Sequence, residues 1–241
     1  MRNIWIIARK EYRQFFGNPL GYAIAGAIFL VIGILFYLNI NQIYQYVYMD
    51  PTYTPEVDII VSPLVSLLFF FTPLITMRSV AEEQHNGTIE LLLTAPLRDV
   101  ELIVGKWLAA FLFLLTIIVI SLIFPLVLNQ LVQPGIDQGK VLTGYIGLVL
   151  MAAMSASIGV AVSSFFSNQL AAAAATLGVM LVLDLLTNVS VPGLSYLSWS
   201  SHFYNTFLVG IISLQDLLYY LSITALGLFV GSVSVQSRRW R

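Results

Sequence analysis

The 241-residue sequence contains no cysteine and only two histidines, and Asp, Glu, Lys and Arg together make up just 10% of it. Without cysteine there are no disulfides, no thiolate metal sites and no cysteine nucleophile. His85 and His202 are isolated, with no second ligand at helical spacing, so no metal site is expected. They read instead as a turn residue and an interfacial residue. A net charge of −1 supplies no basic face for a phosphate backbone, which excludes a nucleic-acid binder. Soluble domains carry about 25% charged and about 45–50% apolar residues. Here 59% of residues are apolar and the mean hydropathy is +0.88. That much apolar surface cannot hide in one compact core of this size, so a soluble enzyme and a disordered chain are both excluded. The bilayer must be the solvent for most of the chain.

A helix needs about 20 mainly apolar residues to cross the hydrocarbon. Six such runs predict six transmembrane helices in an all-α membrane protein: Leu20–Asn41, Ile59–Met77, Leu102–Leu131, Val141–Phe166, Leu170–Val189 and Leu214–Val235. The runs are continuous rather than alternating, which excludes transmembrane strands. The first run is too long for a signal-peptide core and no Ala-x-Ala site follows it, so no cleavage is expected. Residues 1–241 read as one membrane domain. Six crossings leave both termini on one side, and ten of the eleven Lys and Arg residues fall on or beside that side; Lys140 is the exception. The positive-inside rule then makes both termini cytoplasmic.

Residues 1–18 pattern as an amphipathic helix with Trp5, Tyr12 and Phe16 on its apolar face and Arg9 on its basic one, a composition suited to the membrane interface. Asn18-Pro19 ends it. The tyrosines of segment 42–58 read as an interfacial belt in an external loop. Residues 190–213 stay apolar around Pro192-Gly193 and predict one or two short external helices, followed by a capping box at Ser213-x-x-Asp216. Small residues at 152, 155, 156, 159 and 163, and Gly227-x-x-x-Gly231, predict close helix packing.

The charge-dense stretch is Arg78 to Leu97. The second span should continue as a polar helix through Glu82 and Glu83 to a turn at Asn86-Gly87. Thr88 can then cap a short helix with Glu90 in its first turn, Leu91, Leu92 and Leu93 behind it and Pro96 as its stop. Left bare outside the membrane, such a helix would be an exposed apolar patch, so it calls for a partner groove.

The run Arg78…Glu82-Glu83…Gly87-Thr88-Ile89-Glu90-Leu91-Leu92-Leu93-Thr94-Ala95-Pro96…Gly105-Lys106 resembles the signature between the second and third spans of ABC-2 type permeases. The opening Arg9-Lys10-Glu11…Phe15-Phe16…Pro19 and the closing Trp199…His202-Phe203…Gly210…Asp216…Tyr219…Arg238-Arg239 look most like gliding-motility-type permease subunits. The resemblance implies a multi-pass exporter subunit of the cytoplasmic membrane. It pairs with a second copy or a homologous permease, sits on two separate ABC ATPase subunits, and has room for an extracytoplasmic accessory protein. The helix after Gly87 then corresponds to the coupling helix, residues 4–16 to the interfacial connecting helix, and Glu82 and Glu83 to the acidic end that abuts the ATPase.

The residues fit that division of labour. No Gly-x-x-x-x-Gly-Lys-[Ser/Thr] occurs, and Gly105-Lys106-Trp107 lacks both the upstream glycine and the hydroxyl. No catalytic, metal or cofactor residue is therefore expected, and ATP and Mg²⁺ belong to the partner. Ser62, Ser66, Thr72 and Thr76 share one arc of the second span, and Thr176 and Asp184 share another in the fifth. These arcs either line a substrate path or bond back to their own helix carbonyls; Asp184 alone favours the path. A non-transporting anchor, or a mechanical transmission subunit of an ATPase complex, is the rival reading. An intramembrane enzyme lacks the ionisable cluster it would need.

Overall fold

The computed structural model describes residues 2–49, 55–87, 98–132, 135–188 and 193–239. Among them every regular element is helical. The α-helices are α1 (Arg2–Gly17), α2 (Pro19–Met49), α3 (Asp58–Thr76), α4 (Ala81–His85), α5 (Asp99–Ser121), α6 (Ile123–Leu131), α7 (Gln138–Ser163), α8 (Gln169–Leu185), α9 (Trp199–His202) and α10 (Leu214–Arg239). Short 3₁₀ turns cover Leu186–Asn188 and Ser195–Leu197, and Phe203–Phe207 forms a π-helical turn.

α7 is the pillar. About 72% of its apolar stretch is buried within the chain, against 17% for α2. Four helices pack on it: α3, α5, α8 and α10. Its neighbours approach closely because glycines remove the intervening side chains. A Cβ on Gly159 would lie 2.0 Å from Thr76 Oγ1, and one on Gly147 would lie 2.8 Å from the Phe207 ring. From the other side, Gly227 and Gly231 of α10 abut Ser157 and Ala161. Both small-residue stripes read from the sequence are thus closed helix seams.

The contacts also give the direction of each helix. Gly144 meets Val61 and Gly159 meets Thr76, so α3 runs parallel to α7. α10 runs the same way. Trp107 Nε1 donates to Ala153 O (2.9 Å) and Tyr145 Oη to Ser121 O (3.0 Å), so α5 is antiparallel. α8 is antiparallel too: Ala172 and Ala173 pack with Met77 and Ala81, while Met180 O receives Trp199 Nε1 at the opposite end.

Among the described residues, five helical stretches are long and apolar enough to cross a membrane: Pro19–Tyr46, Asp58–His85, Asp99–Leu131, Gln138–Ser163 and Leu214–Ser237. The fifth expected crossing, 170–189, is instead a 17-residue helix, α8. At 1.5 Å per residue it is about 25 Å long, short of the roughly 30 Å hydrocarbon. It tightens into a 3₁₀ turn at Leu186, where Thr187 Oγ1 donates to Asp184 O (2.8 Å).

Other expected boundaries shift for local reasons. The external loop 42–58 is partly helical, since α2 continues unbroken to Met49. The third span, expected as one helix over 102–131, breaks at Leu122. Pro125 has no N–H to give the Ser121 carbonyl four residues back, and Tyr145 Oη donates to that carbonyl instead. The second span does not run straight into α4. Residues 77–80 form a turn held by Ser163 of α7, whose hydroxyl accepts from Val80 N and Ala81 N and donates to Met77 O, each at 3.1 Å. Ser213 does accept from Gln215 N (3.2 Å). The expected return bond from Asp216 is absent because that carboxylate reaches His202 Nδ1 at 2.5 Å. His202 is accordingly buried rather than interfacial.

Gly159→Ala should drive a methyl into Thr76 and lower stability by about 1–3 kcal/mol, the usual cost of overpacking. Gly26→Ala, where a Cβ meets nothing within 4 Å, should leave stability equal or slightly raised. Thermal midpoints of the two purified variants in detergent test the contrast.

Candidate functional site

The chain's charges converge at the end of the bundle where α3 finishes and α5 begins. Lys106, on the second turn of α5, is almost fully enclosed, with 2% of its side chain exposed. Its ammonium reaches Glu83 Oε1 of α4 at 2.7 Å and Glu11 Oε1 of α1 at 3.2 Å. A cation surrounded by apolar helices is costly unless paired, and two carboxylates on it lock three elements together. α1 extends this attachment lengthwise along α5. Asn3 Nδ2 donates to Glu101 Oε2 (3.0 Å), Tyr12 Oη and Thr116 Oγ1 lie 2.9 Å apart, and Phe15 stacks on Phe113 while Phe16 meets it edge-on.

A second chain of bonds starts one residue along. Gln84 Nε2 donates to Ser164 O (2.8 Å) at the end of α7, and the same oxygen accepts from Ser234 Oγ of α10 (3.3 Å). α4 is therefore tied to α1 and α5 through Glu83, and to α7 and α10 through Gln84. The chain then turns as expected at Asn86-Gly87: Gly87 takes φ +68°, a left-handed value that suits glycine, and its N–H bonds Gln84 O at 3.3 Å. The expected short helix, with Thr88, Glu90, Leu91, Leu92, Leu93 and Pro96, lies outside the described residues.

Beside this platform a cavity of about 760 Å³ opens between the α1–α2 elbow and the α3–α4 turn. Glu82, Arg78 and Asn86 line one side, and Lys10, Arg13 and Asn18 the other.

The candidate interfacial residues divide. Trp5 is 57% exposed and Arg9 is also exposed, whereas Tyr12 and Phe16 face the aromatic seam with α5. α1 thus has two apolar flanks: one spent on α5, the other, Trp5 and Ile6, left outward.

The candidate pathway residues divide as well. Thr72 and Thr76 are buried against α7, donating to Leu68 O (2.6 Å) and Thr72 O (2.9 Å), and Thr176 is buried with a bond to Ala172 O (2.8 Å). Ser66 is exposed and donates to Ser62 O at 3.2 Å. Tyr204, from the π-helical turn, lies near Ser66, and Asp184 is close enough to act on its hydroxyl electrostatically. Burial chiefly, with that carboxylate assisting, pushes the Tyr204 hydroxyl above its usual range. Ser66 of α3 and Asp184 of α8 therefore converge on one tyrosine.

Sequence reasoning identified Glu83 and missed both Lys106 and Glu11 as its partners. One signal was available: Lys106 is the only lysine within the third apolar run. Lys106→Ala would leave two carboxylates clustered without their cation. Removing one partner of a fully buried pair costs 3–5 kcal/mol. Glu11 and Glu83 keep almost one-fifth of their side chains exposed, so a loss of about 2–3 kcal/mol is expected. Glu83→Gln should cost less, since Glu11 still holds the ammonium. Denaturant or thermal midpoints in detergent would rank the two.

No curated protein matches the chain. The family described as ABC-2 family transporter protein, however, matches residues 5–234. With nearly the whole chain covered and five helices of spanning length, this protein belongs to the ABC-2 transporter family and is a multi-pass membrane component of an ABC transporter.

Proposed function

We propose that the chain is the permease subunit of an exporter in the cytoplasmic membrane, driven by separate ABC ATPase subunits that dock on the segment following Gly87. In this reading α8 and its 3₁₀ extension make the fifth of six crossings, and both termini are cytoplasmic. α8 runs from the Met77 and Ala81 end of the bundle to the Trp199 end, which supports a full traverse. The gliding-motility-type subfamily belongs to the same proposal and rests on the terminal motifs. A second permease, identical or homologous, completes the complex, with two ATPases below and room for an accessory protein outside.

The observation that carries the proposal is the anchorage of α4. A push on the segment after Gly87 passes through Glu83 and Lys106 to α5 and α1, and through Gln84 and Ser164 to α7 and α10. One external contact can thus move four helices as a unit. Trp5 and Arg9 on the free flank of α1 suit the interface at that end. On the far side Ser66, Tyr204 and Asp184 form the polar cluster assigned to the substrate path, with Ser62 beside them and Thr72, Thr76 and Thr176 behind.

Leu92→Asp should leave membrane insertion intact and abolish co-purification of the ATPase; undiminished co-purification would overturn the docking assignment. Asp184→Asn should keep the ATPase bound but reduce substrate-stimulated hydrolysis in reconstituted vesicles by several-fold. Unchanged transport and unchanged stimulation would remove Asp184 from the path. Vesicles in which the complex hydrolyses ATP and moves nothing would favour a mechanical transmission subunit.

A further inference from the structure

The cavity beside the Lys106 hub has a chemistry that docking leaves unexplained. Its lining carries four cations and three carboxylates. Two of those carboxylates, Glu11 and Glu83, are turned onto Lys106. Lys10, Arg13 and Arg78 remain, opposed by Glu82, with Lys10 also within electrostatic reach of Glu83. The Arg78 Nε–H is buried and has no acceptor. A buried donor without a partner is destabilising, and a guanidinium fork matches phosphate oxygens better than any other common anion. The rest of the wall is apolar: Phe15, Leu20, Leu74 and Ile75. The site also lies where α2 begins and α3 ends, the depth at which spanning helices leave the hydrocarbon.

We propose that this cleft binds an anionic phospholipid of the adjoining leaflet, its phosphate held by Arg78 and Arg13 and an acyl chain laid along Leu20, Leu74 and Ile75. A free phosphate ion would use the cations but leave the apolar wall idle. The volume, about 760 Å³, exceeds what a phosphate alone fills and lies within the range of ordinary ligand sites. Occupancy ties the α1–α2 elbow to the α3–α4 turn, the same elements that the Lys106 hub joins on its other side. Naming the leaflet cytoplasmic rests on the orientation proposed above; the lipid site itself does not depend on ATPase docking.

The test uses the purified chain in detergent, with short-chain phosphatidylglycerol, phosphatidylcholine and inorganic phosphate as probes. Native mass spectrometry counts bound lipid and a thermal-shift series gives the apparent affinity. Phosphatidylglycerol should bind at least tenfold more tightly than phosphatidylcholine and raise the thermal midpoint. Arg78→Gln and Arg13→Gln should each weaken it by about tenfold, and Arg78→Lys by less. Lys140→Gln, at the opposite end of the bundle and outside the cleft, should leave binding unchanged. Helicity by circular dichroism identifies any variant that has simply unfolded, and the other arginine variant then decides. Equal binding of the two lipids, or undiminished phosphatidylglycerol binding in both arginine variants, overturns the proposal. So does inorganic phosphate that reproduces the thermal shift at millimolar concentration, since the ligand would then be a soluble anion. Loss of ATPase co-purification in Leu92→Asp with lipid binding retained separates this site from the docking assignment.

Discussion

Close contact along α7 is the constraint on which the rest of the structure depends. In a bilayer there is no hydrophobic drive between helices, because lipid tails are as apolar as leucine, so association rests on van der Waals contact and buried polar bonds. α7 supplies both. Gly144, Gly147 and Gly159 let Val61, Phe207 and Thr76 approach to the limit of contact, and α10 returns the favour with Gly227 and Gly231 against Ser157 and Ala161. Each of these distances is too short for even one added methyl without a shift. The pillar therefore sets the spacing and register of α3 and α10, and through them the height at which every connecting segment emerges.

That register places polar groups where helix breaks need them. Pro125 leaves the Ser121 carbonyl without its helical donor, and Tyr145 is level with it and supplies one. The turn at 77–80 exposes two N–H groups and a carbonyl, and Ser163 satisfies all three with a single hydroxyl. At the opposite end the short helices between α8 and α10 are held by His202, bonded to Asp216 and to Tyr196 O, and by Tyr220 Oη on Trp199 O at 2.8 Å. Charge follows the same logic at Lys106, whose enclosure among helices requires the two carboxylates that α1 and α4 bring to it. The result is a bundle whose two ends differ in kind: an ionic platform at one, an aromatic and hydroxyl-rich cap at the other.

Much of this was legible beforehand, and what was missed has identifiable causes. The apolar runs were read from hydropathy because a spanning helix must be nearly uniform in composition, so length alone betrays it. The fifth run, 170–189, reaches past the end of α8, since apolar character continues through Leu186 while the backbone has already tightened. The polar stripe of α3 was visible at 100° per residue, yet its facing was not: Thr72 and Thr76 point into α7 whereas Ser66 stays exposed. Ser213-x-x-Asp216 matched a local capping pattern, but a histidine fourteen residues earlier in the chain won the carboxylate. Glu83 was singled out for its place in a motif. Its partners Glu11 and Lys106 lie 72 and 23 positions away, and no periodicity connects them.

The amino-acid sequence by itself determined the solvent, the helical class, the turn at Asn86-Gly87 and the membership in the ABC-2 family, because each follows from composition or short-range pattern. Only the tertiary structure decided which faces of those helices meet, which breaks are repaired and by whom, and that α1, α4 and α5 share one buried ammonium. The reason is physical. Local pattern reports what a residue can do within one turn of helix, whereas pairing of buried polar groups depends on the height and rotation of neighbouring helices, and those are set by the glycine-lined contacts of α7.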